Sequence, residues 1–179
     1  MNASKIVLYL SCALLYPCAA QAQLLSVGSF QSYKGLGVSI QSGGSDSQVF
    51  NTYTLYADMA SVFAGSSKTP GVKFNLSHNF RLLDFPSAGG EDFCIYAGSG
   101  VSTGWVQDYM RSDFGLEAAL TGTFGARLAF KRSILITFGI TLDAGAIVFK
   151  ENGNLKFSVY RNGVYQSIYP QIEIAYRFL

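Results

Sequence analysis

The chain has 179 residues, with 13 lysines and arginines against 11 aspartates and glutamates, a single histidine and a formal charge of +2. Such a balance excludes a nucleic-acid binder, whose cations would be in excess and clustered. Aromatic residues make up 15% of the chain and the mean hydropathy is positive, at +0.24, yet beyond the amino terminus no apolar run approaches the ~20 residues of a membrane-spanning helix.

Residues 1 to 22 read as an export signal. Lys5 supplies the positive start, Ile6 to Tyr16 the apolar core, and Ala20-Gln21-Ala22 a small-x-small cleavage site. A core of that length is too short to cross the ~30 Å of a bilayer interior, so cleavage before Gln23 is predicted, leaving one domain over 23 to 179. Cys18 raises a lipoprotein alternative, which the bulky Tyr16 and the Pro17 disfavour. Cleavage also removes Cys12 and Cys18, so the mature chain keeps Cys94 alone, with no internal disulfide and no cysteine-type metal site.

The rest alternates at a period of two, the signature of strands with unlike faces. The first predicted strand, about Tyr33 to Gln41, sets Leu36, Val38 and Ile40 against Gly35, Gly37, Ser39 and Gln41. The second, about Thr52 to Phe63, sets Tyr53, Leu55, Ala57 and Phe63 against Thr52, Thr54, Tyr56 and Asp58. The third, about Val72 to Leu82, opposes Phe74, Leu76 and Phe80 to Lys73, Asn75, Ser77 and Arg81, and the fourth, about Phe93 to Gly104, opposes Ile95, Ala97 and Val101 to Cys94, Tyr96 and Ser102. A fifth over Phe114 to Phe130 places Leu120 and Phe124 opposite Glu117 and Arg127. Across the turn Lys131-Arg132-Ser133 a sixth, Ile134 to Asp143, sets Ile136, Phe138 and Ile140 against Thr137, Thr141 and Asp143. A weaker seventh runs from Asn154 to Tyr160, with Asn162-Gly163 as a tight hairpin into an eighth. Glycine, serine and proline clusters such as Ser42-Gly43-Gly44-Ser45 and Pro86-Ser87-Ala88-Gly89-Gly90 mark the connections.

The eighth strand is the most informative. Ile168, Pro170, Ile172, Ile174, Tyr176 and Phe178 share one face, and Gln171, Glu173, Ala175 and Arg177 the other. With an export signal at one end and this alternating, aromatic-closed strand at the other, the chain resembles the bacterial outer-membrane β-barrel family, of the OmpA-type eight-stranded kind. The resemblance implies an all-β, antiparallel, up-and-down transmembrane β-barrel in the outer membrane. It also implies that Ile174, Tyr176 and Phe178 form a carboxy-terminal insertion signal read by the barrel-insertion machinery after delivery by periplasmic chaperones. The chain departs from the family in carrying Leu179 after Phe178. Both termini of such a meander lie in the periplasm, so the strand count must be even, and eight is favoured over ten. Were residues 149 to 167 a surface extension instead of a strand, a segment near Ser26 to Ser32 would have to supply the missing one.

A soluble lipocalin-like barrel also alternates but carries its apolar face inside. Here acids and bases occur in equal number on the polar faces: Asp58, Glu117, Asp143 and Glu173 with Lys73, Arg81, Arg127 and Arg177. Aromatics such as Trp105, Tyr109, Phe130 and Tyr176 lie toward strand ends, as an interfacial girdle requires. Lipid outside and a charge network within a filled lumen is therefore the predicted arrangement. A buried carboxylate facing Arg127 or Arg177 would be compensated there, and Cys94 is a buried free thiol. Catalysis is disfavoured. The only histidine, His78, neighbours Ser77, but adjacent strand residues face opposite ways, and the His-x-Ser spacing of the lipid A deacylases is absent because Phe80 follows two residues on. No cofactor and no metal are expected; outer-membrane lipid is the expected surrounding, and no particular surface ligand is indicated. The predicted role is structural or surface contact, with a small porin-like pore as the alternative and a lipid-modifying enzyme third.

Overall fold

The computed structural model describes residues 25–43, 47–65, 67–86, 91–107, 114–130, 133–151, 153–159 and 168–178. The predicted leader, the Lys131-Arg132 turn, Tyr109, the Asn162-Gly163 hairpin and Leu179 lie outside these residues. The elements are β1 (Leu25–Ser32), β2 (Gly35–Ser42), β3 (Val49–Asp58), a short helix α1 (Ala60–Phe63), β4 (Gly71–Pro86), β5 (Asp92–Gln107), β6 (Phe114–Phe130), β7 (Ile134–Glu151), β8 (Asn154–Val159) and β9 (Ile168–Phe178).

Every pairing is antiparallel. Neighbours in sequence pair from β1 to β7, β9 pairs with both β7 and β1, and the ring closes on itself with eight staves. Closure satisfies the backbone groups that an open sheet would leave at its two edges, which hydrocarbon could not solvate. One end, the terminal mouth, carries the start of β1, the end of β9 and the β2–β3, β4–β5 and β6–β7 connections. The opposite mouth carries the Tyr33-Lys34 turn, α1 and the β7–β8 hairpin.

The count of eight agrees with the sequence, but two assignments change. The expected seventh strand is not a separate stave: β8 pairs with Ala146 to Glu151 of β7, while β9 pairs with Ile134 to Leu142 on the same edge. β8 and β9 are thus two pieces along one edge of β7. The missing stave is β1, with Tyr33 and Lys34 forming the turn into β2. β1 escapes the alternation signal because its outward positions include Ser29 and Gln31 while Phe30 is buried inside, so its two faces differ little in polarity. The second predicted strand also stops early. Asp58 accepts a hydrogen bond from the Ala60 backbone N–H at 3.0 Å, starting α1, so Phe63 is helical.

Burial runs inside out compared with a water-soluble domain. Leu120 is 70% exposed, whereas Arg177, Lys73, Glu117 and Glu173 are among the largest fully buried side chains. A band of exposed Leu, Ile, Val and Phe covers the outside of β2 to β7 and β9, a pattern water does not tolerate at this extent. Space in the lumen is limited, and glycines supply some of it. A Cβ at Gly139 or Gly125 would meet the Tyr96 hydroxyl at 2.6 or 2.9 Å, so both positions are kept bare for that ring.

Candidate functional site in the barrel lumen

The inward faces stack polar groups from one mouth to the other. Toward the opposite mouth, Lys73 of β4 reaches across to two strands: its Nζ donates to Glu117 Oε1 at 2.7 Å and to Asp143 Oδ2 at 2.6 Å. The three side chains are 1%, 2% and 0% exposed. Thr121 Oγ1 donates to the other Asp143 oxygen at 2.9 Å, so the carboxylates are held by groups on separate staves. Low dielectric makes such contacts strong and makes their loss costly.

Above this triad the turn lysine Lys34 sits 4.6 Å over the Tyr169 ring. Burial, and after it the neighbouring Lys73 cation, push the Lys34 ammonium down to about 8. Tyr33 beside it is raised, by partial burial and then by Asp58. The cavity between Lys34, Asp58, Lys73, Gln107 and Glu117 is about 20 Å³, room for a single water.

The middle of the lumen is held by neutral groups, of which Gln41, Gln171 and Thr52 share the polar strand faces read from the sequence. Gln41 Nε2 donates to Glu173 Oε2 at 2.7 Å, and Gln171 Nε2 to Glu173 Oε1 at 3.3 Å. Asn79 Nδ2 donates to Thr52 Oγ1 at 3.2 Å and its Oδ1 accepts from Thr123 Oγ1 at 2.7 Å, which ties β3, β4 and β6 together. The signal available for them was the same strand phase that placed the charges.

Toward the terminal mouth the arrangement changes. Arg127 lies with its guanidinium carbon 4.4 Å over the Phe50 ring, and Phe50 meets Tyr96 edge-on at 5.3 Å. Arg177 projects into the same end of the barrel from the end of β9. Of the eight charged residues singled out in sequence, the structure therefore joins Lys73, Glu117 and Asp143 as ion pairs and leaves Glu173 bonded to amides. Neither Arg127 nor Arg177 makes an ion pair among the described residues: Glu117 and Asp143 are held by Lys73 toward the opposite mouth, and Glu173 accepts from Gln41 and Gln171. Arg81 instead meets Asp84 at 3.4 Å, past a register shift in β4. Asp58 is half-buried at the rim and accepts from the Ala60 N–H just before α1. Cys94 is buried and free. Ile174, Tyr176 and Phe178 face outward on β9. His78 also faces outward, with Nδ1 2.6 Å from Asn51 Oδ1, while Ser77 is buried on the opposite face. No cluster able to hold a metal exists among the described residues.

No family model and no curated protein matches the sequence. Among solved structures the chain is similar to the N-terminal β-barrel domain of Pseudomonas aeruginosa OprF, at 13% identity and a TM-score of 0.49, over 87% of this chain and 97% of that one. It is equally similar to a major outer membrane protein from Thermus thermophilus, at 13% identity and a TM-score of 0.49, over 87% and 99% of the two chains. The Escherichia coli outer membrane protein W follows at 13% and 0.47, over 87% and 97%.

The setting of the barrel follows from its own surface. A closed ring of an even number of antiparallel strands, apolar outside and charged within, is stable when hydrocarbon surrounds it. The protein is an eight-stranded antiparallel β-barrel whose outer face is built for a lipid surrounding.

Proposed function

We propose that the protein serves as an integral outer-membrane anchor whose lumen is filled by side chains, and that it acts through structural or surface contact and not by conducting solute or by catalysis. The observation that carries this reading is the Lys73–Glu117–Asp143 triad. It spans the lumen between β4, β6 and β7 with all three side chains nearly inaccessible. An eight-stranded barrel is narrow enough for such side chains to fill it. The separation of His78 from Ser77 across the wall supports a non-catalytic role.

On this reading the apolar belt contacts outer-membrane lipid. The outward alternation of Ile174, Tyr176 and Phe178 offers the barrel-insertion machinery its recognition strand, with periplasmic chaperones holding the chain beforehand. Recording from purified, refolded protein in a planar bilayer tests the filled lumen. Baseline current is expected, and a stable unitary conductance in the unmutated protein would replace the anchor reading with a pore. Phe178→Ala tests the insertion strand, with slower assembly expected by heat-modifiable gel mobility and unchanged stability once folded.

A further inference from the structure

Two buried cations near the terminal mouth form no ion pair among the described residues. Arg127 and Arg177 are 3% and 2% exposed. Nε and Nη1 of Arg127, and Nε and Nη2 of Arg177, are buried with no hydrogen-bond acceptor among the described residues. Charges of both signs lie nearby. Arg81 acts electrostatically on both guanidiniums, Glu173 on Arg127 and Asp92 on Arg177. Yet Glu173 already accepts from Gln41 and Gln171, and Arg81 is engaged with Asp84.

The guanidinium carbon of Arg127 lies 4.4 Å over the Phe50 ring, a contact that supplies no hydrogen-bond acceptor to its N–H groups. Nε and Nη2 of Arg177 lie on one edge of the guanidinium, the fork that binds carboxylate and phosphate oxygens in bidentate fashion, whereas Nε and Nη1 of Arg127 lie on different edges and act as separate donors. Buried charge is retained where it is paired, and among the described residues these guanidinium nitrogens have no acceptor.

We propose that Arg127 and Arg177 form an oxyanion site at the terminal mouth that takes a phosphate group, with Phe50 as its floor and Arg81 as an outer cation. Two sources carry that chemistry, inorganic phosphate and the headgroup of a phospholipid in the adjoining leaflet. The site does not depend on the filled-lumen reading: bilayer recording addresses the lumen and the binding measurement addresses the site.

The experiment is a titration of sodium phosphate into refolded, ¹⁵N-labelled full-length protein in zwitterionic micelles lacking phosphate, at constant ionic strength. The expected result is saturable movement of the Arg127 and Arg177 Nε–H resonances, with the Gln41 side-chain amide unmoved. Arg127→Met and Arg177→Met should each weaken phosphate binding at least tenfold, and Arg127→Lys, which keeps the charge in a differently shaped donor, less than Arg127→Met. Phosphatidylglycerol added to the micelles separates the sources. Competition with inorganic phosphate assigns the site to a headgroup, and no competition assigns it to a free solute. Should the methionine variants fail to fold, the titration of the unmutated protein still decides. Absence of saturable shifts at Arg127 and Arg177 overturns the proposal, as does phosphate binding that survives unchanged in either folded methionine variant.

Discussion

The two ends of the lumen are built from the same strands and buried to the same depth, yet they resolve charge in opposite ways. Toward the opposite mouth one lysine serves two carboxylates, and a threonine completes the second. Toward the terminal mouth two arginines, one of them over the Phe50 ring, have no ion-paired acid among the described residues. The difference teaches that alternation alone fixes where a charge points, while its partner is fixed by the stagger between staves. Lys73 meets acids two and three staves away because their positions along the wall coincide, although β6 and β7 lie far from β4 in sequence.

Removing the shared partner of the upper triad should have the largest effect on this contrast. Lys73→Met leaves Glu117 and Asp143 buried without their cation, an arrangement that costs about 3–5 kcal/mol when burial is complete. Urea unfolding of the refolded protein in micelles measures it. Arg127→Met removes a cation that lacks an ion-paired acid, and a loss well below that of Lys73→Met is expected. Equal losses would show that the two ends are energetically alike and that Arg127 is neutralised by the chain itself.

The next effect tests inside against outside. Leu120 lies outward near the middle of β6, beside inward Thr121 and Ala119. Leu120→Arg should cost about 2–4 kcal/mol, the range for a cation at the midplane on the lipid face, and Leu116→Arg nearer the strand end should cost less. The same urea series reads both. A dependence on depth is expected from lipid contact and not from a water-exposed surface.

A smaller effect, visible through pH, involves Lys34. In the unfolded chain its ammonium holds its proton to about 10.5, whereas in the fold burial lowers that to about 8. Between those values the unfolded state binds more protons, so this group makes stability rise with pH across that window and contributes no slope below it. Lys34→Met should flatten this part of the profile while leaving the effect of Lys73→Met in place. A slope that persists unchanged in Lys34→Met would assign the titration to another group.

How far the sequence led can be judged from particular elements. The strands β2 to β7 and β9 were legible because each sets aliphatic residues against hydroxyls, amides and charges at a period of two. β1 was not, since Phe30 fills the lumen and Ser29 and Gln31 face outward, erasing the contrast that marks a strand. The Asn154 to Val159 segment alternates well enough to suggest a stave, but whether it stands alone depends on which stretch of the β7 edge it and β9 each meet, a relation between distant residues that local pattern does not encode. The same limit applies to the lumen. Inward placement of Lys73, Glu117, Asp143, Arg127, Glu173 and Arg177 followed from phase, whereas the identity of each partner followed from register around the ring. Asp58 and Arg81 departed for local reasons, a helix start and a register shift in β4.

The smallest predicted effect lies outside the lumen and serves as the control for all the others. On the β7–β8 hairpin Lys156 Nζ meets Glu151 Oε2 at 2.6 Å, with the two side chains 52% and 40% exposed. The distance matches that of Lys73 to Asp143, so distance alone predicts no difference between the pairs. Solvent does: water screens the exposed pair and rehydrates whichever partner is left alone, which holds its contribution to about 0–1 kcal/mol. Glu151→Gln and Lys156→Met should therefore shift the unfolding midpoint slightly or not at all, and added salt should abolish any shift. The buried triad should keep its contribution in the same salt. A loss for Lys156→Met as large as that for Lys73→Met would mean that the hairpin is covered in the folded protein, by lipid or by other parts of the chain, and that its charge pair belongs with the lumen and not with the surface.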